Sequence, residues 1–187
     1  MILINKLPIM SSAMAGLVIV ALVGSASAAE LATQGHRQVA KALADFKSTA
    51  AKMRHQADTL NSFTPSKQLS WQSHTQRLNA LKDHVNEMGR SLAELEAMKP
   101  MATQTQALAM EQARPHLVSV AENLTEAIAL VNENRRNIYW DDYSEAVSDV
   151  YSHAHALHTK LDAILEYGKN QERMESLEVP TSVAGQS

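Results

Sequence analysis

In four successive stretches of this chain, apolar side chains recur at alternating steps of four and three residues, a rhythm that few folds other than helices packed along a shared seam can accommodate. The first stretch reads Val39, Leu43, Phe46, Ala50, Met53, Ala57 and Leu60. The second reads Trp71, His74, Leu78, Leu81, Val85, Met88, Leu92 and Leu95. In the third, Met110, Ala113, Leu117, Val120, Leu124, Ala127 and Val131 are widened by Ala121 and Ile128; the fourth has Tyr143, Val147, Val150, Ala154, Leu157, Leu161 and Ile164. A strand would need a period of two, so the expectation is an all-α fold. Abundant Ala, Leu, Glu, Gln and Lys favour helix throughout these stretches.

Punctuation between the stretches sets the connections. Asn61 to Ser66 reads as a turn, with Thr64 expected to cap the second helix and Pro65 to occupy its first position. Pro100 ends the second helix, Thr103 with Gln106 has the spacing of a capping box, and Asp142 with Glu145 has a similar one. Helices are therefore expected near 31–61, 66–98, 103–136 and 142–172, each roughly 45 Å long at 1.5 Å per residue. Such short connections imply an antiparallel up-down-up-down four-helix bundle over residues 30–172 with left-handed heptad packing. Pro115 lacks a backbone donor and crowds the carbonyl of Glu111, so a kink is expected there. Residues 173–187, with Pro180 and Gly185, read as a disordered tail.

The first 28 residues read as an address. Lys6 precedes an apolar run from Ala13 to Val23, and the small-residue stretch Gly24 to Ala29 follows. That order is the pattern of a bacterial signal peptide, with cleavage expected after Ala28 or Ala29. The run is well short of the ~20 apolar residues that span a bilayer. The expected location is therefore the periplasm or the exterior, with no membrane attachment after cleavage. Cysteine is absent, which excludes thiol catalysis and thioether haem attachment. Loss of Lys6 makes the formal charge of −3 one unit more negative, which leaves no electrostatic footprint for nucleic acid.

A bundle of this topology has a distal end, holding the first and third loops, and a proximal end with the termini. Functional side chains must share a height and point inward. Phe63, Trp71, Arg135, Arg136, Tyr139, Trp140 and Tyr143 gather at the distal end, and aromatic rings beside arginine suit a ligand or a protein partner. At the proximal end His36 falls three residues before Val39, with Met88 and Met110 on their own seams, a set that could hold haem b. Tyr151, His155, His158 and Asp162 share one face of the fourth helix, where His155, His158 and Asp162 could hold a transition metal.

In architecture and compartment the chain resembles the periplasmic cytochrome b562 family, whose four-helix bundles take a Met from the first helix and a His from the last. The resemblance implies a haem-carrying bundle but carries no motif. Here the histidine is on the first helix, and no proximal histidine falls on the last, so the family's ligands transfer to no position. No nucleophile, base and orienting group fall together. The expectation is an exported, non-enzymatic binding or interaction module without a cofactor, using its distal loops to hold an unknown protein or small molecule. The alternative is a non-covalent carrier of haem b or a transition metal.

Overall fold

A computed structural model describes residues 28–65, 70–135 and 141–178. Residues 1–27 of the expected signal peptide, the candidate residues Arg136, Tyr139 and Trp140, and the tail beyond 178 lie outside the described residues. Four long helices make up almost all of the rest: α1 Ala28–Phe63, α2 Trp71–Ala97, α3 Gln104–Glu133 and α4 Asp141–Glu178. A short 3-10 turn, Lys99–Met101, links α2 to α3. No strand occurs among the described residues, and no described helix is long and apolar enough to cross a membrane.

Burial follows the heptad rhythm. All seven seam residues of α1, from Val39 to Leu60, are at most 1% exposed. Leu78, Leu81, Met88, Leu92 and Leu95 of α2 are buried with them, as are the α3 seam from Met110 to Val131 and Val147, Val150, Ala154, Leu157 and Leu161 of α4. Trp71, Val85 and Ile164 sit half-buried at the edge of this cluster. Each fully buried Leu, Val or Met contributes about 1.5–3 kcal/mol, so a continuous seam can hold the fold without a crosslink. α1 packs on α2 and α4, and α3 packs on α2 and α4, most extensively on α4. That cyclic arrangement is consistent with a four-helix bundle.

Several helix ends differ from the sequence expectation. Thr64 closes α1 and does not cap α2: its Oγ1 donates back to the carbonyl of Leu60 at 2.8 Å, and its backbone N–H donates there at 3.1 Å. Threonine can satisfy the i−4 carbonyl as readily as a following helix, and Pro65 cannot continue the turn. Ser70 caps α2 in its place, in extended backbone, accepting from the Ser73 N–H at 3.4 Å. α4 begins at Asp141, so Asp142 lies within its first turn, where a carboxylate favours the positive end of the helix. At its other end α4 continues to Glu178, past the expected boundary at 172.

The capping box at α3 forms as its spacing suggests. The Gln106 N–H donates to Thr103 Oγ1 at 3.2 Å, and the Thr103 N–H donates to Gln106 Oε1 at 2.9 Å. The same Gln106 amide donates through Nε2 to the backbone carbonyl of His36 at 3.1 Å, tying the start of α3 to α1. α3 runs unbroken through Pro115.

Two glycines make the packing testable. A Cβ on Gly168 would meet Thr105 Cγ2 at 2.9 Å, whereas one on Gly89 would meet nothing within 4 Å. Alanine in a helix interior is favoured over glycine by about 0.8–1.0 kcal/mol. In chemical denaturation, Gly89→Ala should stabilise by close to that amount, while Gly168→Ala should gain little or lose stability. Thr105→Ser removes the Cγ2 methyl, and in that background Gly168→Ala should recover the gain.

Candidate functional site

The distal end is built from the last turn of α1, the first turns of α2 and α4, and the residues just after α3. Phe63 closes α1, and the Arg77 guanidinium lies 4.4 Å from its ring centroid. Trp71 opens α2, and the Arg135 guanidinium lies 4.9 Å from its ring. Each half-buried ring thus already has a cation over one face, an attraction worth about 0.5–1 kcal/mol at exposed sites.

Tyr143 departs from the expected role of an accessible binding aromatic. It is 2% exposed, and its hydroxyl lies 2.9 Å from Nδ1 of His74, itself 1% exposed. The two rings meet edge to face, with centroids 5.5 Å apart at 72°. Phase explains the burial, since Tyr143 and Val147 stand at i and i+4 on the seam. Burial raises the Tyr143 phenol well above its ordinary range. Burial, followed by the nearby Arg77 charge, lowers the His74 imidazole. His74 Nε2 is buried without a hydrogen-bond partner. The pairing was missed from sequence, although two polar-tipped rings near helix starts at one end were a usable signal.

The haem set does not assemble. His36 is exposed; the inward positions before Val39 go to Gly35, because the seam steps by four there and not by three. Met88 and Met110 are 0% and 2% exposed and serve as core packing. The metal face fares no better. His155 is exposed and stacks loosely on Tyr151, centroids 5.9 Å apart, while Asp162 pairs with Lys47 of α1. Among the described residues no group of three His, Cys, Asp or Glu side chains could hold a metal ion. His116 of α3 and His153 of α4 do meet, at 5.9 Å between centroids, but as a pair alone.

A feature absent from the sequence expectation lies between α1, α4 and the start of α3: a groove of about 710 Å³. Ala40, Ala44 and Ala51 of α1 with Leu165 and Gly168 of α4 supply its apolar lining. Thr103 to Gln106 line the wall contributed by α3, and Lys47, His158, Lys169, Glu172 and Glu175 contribute charge and polarity. Its origin is steric. Methyl side chains on the flank of α1 fill little space, and Gly168 lets α4 press against Thr105 of α3. His158 is lowered by burial first and then by Arg54, with Asp162 opposing. Such a volume falls in the range of about 300–1,000 Å³ typical of small-molecule sites.

Lys47 holds the Asp162 carboxyl below its ordinary value, chiefly by their hydrogen bond. A depressed carboxylate contributes stability that is present above its unfolded value of 3.8 and is lost as pH falls through the folded value. Because Asp162 is half exposed, Lys47→Met should cost less than about 1 kcal/mol at neutral pH. That difference should vanish in acid, and carboxyl carbon NMR titration should show Asp162 returning to its ordinary range. No family model, curated protein or solved structure matches this chain.

Proposed function

We propose that this protein is an exported, non-enzymatic binding module, an antiparallel up-down-up-down bundle with left-handed heptad packing. It holds an elongated small molecule with an apolar body and a polar head. The observation that carries this is the groove between α1 and α4, lined by small apolar side chains together with charged and polar ones. Ala40 and Ala51 are separated by about 16 Å along α1 at 1.5 Å per residue, which suits a narrow, extended ligand. Antiparallel neighbours are supported by the order of contacts. Lys47 pairs with Asp162, whereas Arg54, further along α1, acts on the earlier His158. Likewise Thr105 abuts Gly168, and His116, later in α3, meets His153. The alternation of four and three, unbroken on α1 from Val39 onward, supports left-handed packing. Export rests on the pattern of the first 28 residues.

A second reading keeps partner binding at the distal end, on the observation that Phe63 and Trp71 remain half-buried beneath Arg77 and Arg135. One experiment separates the two. The full chain is titrated with laurate and with dodecylamine while amide resonances are followed by NMR. Saturable shifts at Ala40, Ala44, Leu165 and Gly168 are expected. Ala44 is exposed, so Ala44→Leu should fill the groove, weaken binding at least about tenfold and leave folding intact. Shifts confined to Trp71 and Arg135 would move the site to the distal end, and no saturable shift with either amphiphile would overturn the groove assignment.

A further inference from the structure

We propose that His74 and Tyr143 form an acid-released latch, in which protonation of the His74 imidazole frees the first turns of α2 and α4 and uncovers the rings of Trp71 and Tyr143. The latch joins the beginnings of two helices that follow successive distal loops, α2 from Trp71 and α4 from Asp141. Its side-chain hydrogen bond is the His74 Nδ1 contact with Tyr143 Oη at 2.9 Å. A buried phenol keeps its proton, so the neutral imidazole has two ways to pair. Either Nδ1 accepts from Tyr143 and the proton sits on Nε2, or Nδ1 donates and Nε2 is bare. In both, Nε2 remains buried with no partner.

The cation has no comparable solution. With both ring nitrogens protonated, Nδ1 must donate to Tyr143, whose own hydroxyl proton then needs a new acceptor. Nε2–H would be a buried donor sharing the positive charge, with no hydrogen-bond partner among the described residues. The surrounding charge is unfavourable too. Arg77 on α2 acts directly on the ring, and His74 lies in the first turn of α2, where the helix presents its positive end. From the other elements, Arg135 follows α3 and sits over Trp71, α1 has no basic residue in its last turn, and α4 brings Asp141 and Asp142 in its first turn. Those two carboxylates are exposed, where solvent screens their charge.

The sign follows from proton counting. The closed form disfavours the proton, so above the ordinary value of 6.5 the latch is indifferent to pH. Below it the opened form takes up a proton that the closed form refuses, and the opening equilibrium rises by up to about tenfold per pH unit. Local opening of this kind leaves the middle of the seam closed.

Native-state amide exchange of the full chain between about pH 8 and about pH 4.5 tests the latch, with rates corrected for intrinsic exchange. Amides of residues 74–78 and 145–149 should show the rising opening equilibrium below 6.5, while those of Leu92 and Val120 change less. His74→Gln keeps a hydrogen-bonding side chain that cannot titrate and should flatten the profile. Should that variant fail to fold, Tyr143→Phe serves: it should raise opening at every pH yet keep the acid dependence. Equal pH profiles for wild type and His74→Gln would overturn the proposal. So would a His74 ring that titrates at its ordinary value by NMR while the flanking amides stay protected.

Discussion

With no cysteine in the chain, burial of one continuous apolar seam is the constraint on which everything else rests. The seam alternates bulk and absence of bulk. Leu43, Phe46, Met53 and Leu60 share α1 with Ala50 and Ala57, and Leu117 and Leu124 share α3 with Ala113 and Ala127. Large side chains fill the interior, and the alanines let neighbouring backbones close around them. The polar residues admitted to this interior are few, and each has a defined task at a helix end. Thr64 satisfies a terminal carbonyl, Gln106 completes a cap, and His74 meets Tyr143.

The same economy of volume produces the groove when it occurs off the seam. Alanine beside the core, at positions 40, 44 and 51, neither fills the space between α1 and α4 nor covers it. α4 gains contact with α3 at Gly168, and the corresponding room opens on the side of α1. Concavity here is therefore a by-product of which neighbour each helix approaches most closely. A bundle can acquire such a hollow without a strained backbone: among the described residues there is no cis peptide and no residue in the left-handed region.

Much of the fold was legible because burial on a helix depends on phase, and phase is written in residue spacing. Every seam residue expected on α1 is buried, and the Thr103–Gln106 box caps α3 as its spacing implies. Phase is weakest where a stripe begins. One step of four in place of three before Val39 put Gly35 inward and His36 outward, and with that the haem geometry dissolved. Turn chemistry was ambiguous for a related reason, since Thr64 could serve the helix behind it or the one ahead. The groove was illegible because it depends on the distance between two helices, and alanines at 40, 44 and 51 look like ordinary helix formers. The His74–Tyr143 contact required matching heights on α2 and α4, which no single stripe encodes.

Gln106 has a consequence for alignment along the bundle axis. Heptad seams are forgiving: sliding one helix by a full repeat returns apolar side chains to apolar neighbours, so hydrophobic burial alone discriminates poorly between registers. A slip of one heptad would carry the Gln106 amide about 10 Å from the carbonyl it now meets on His36. Gln106 is 7% exposed, so little water could replace the lost acceptor. One side chain that caps its own helix and reaches a second therefore acts as an end-stop, setting where α3 halts against α1 and, through the Thr105–Gly168 contact, where α4 must lie.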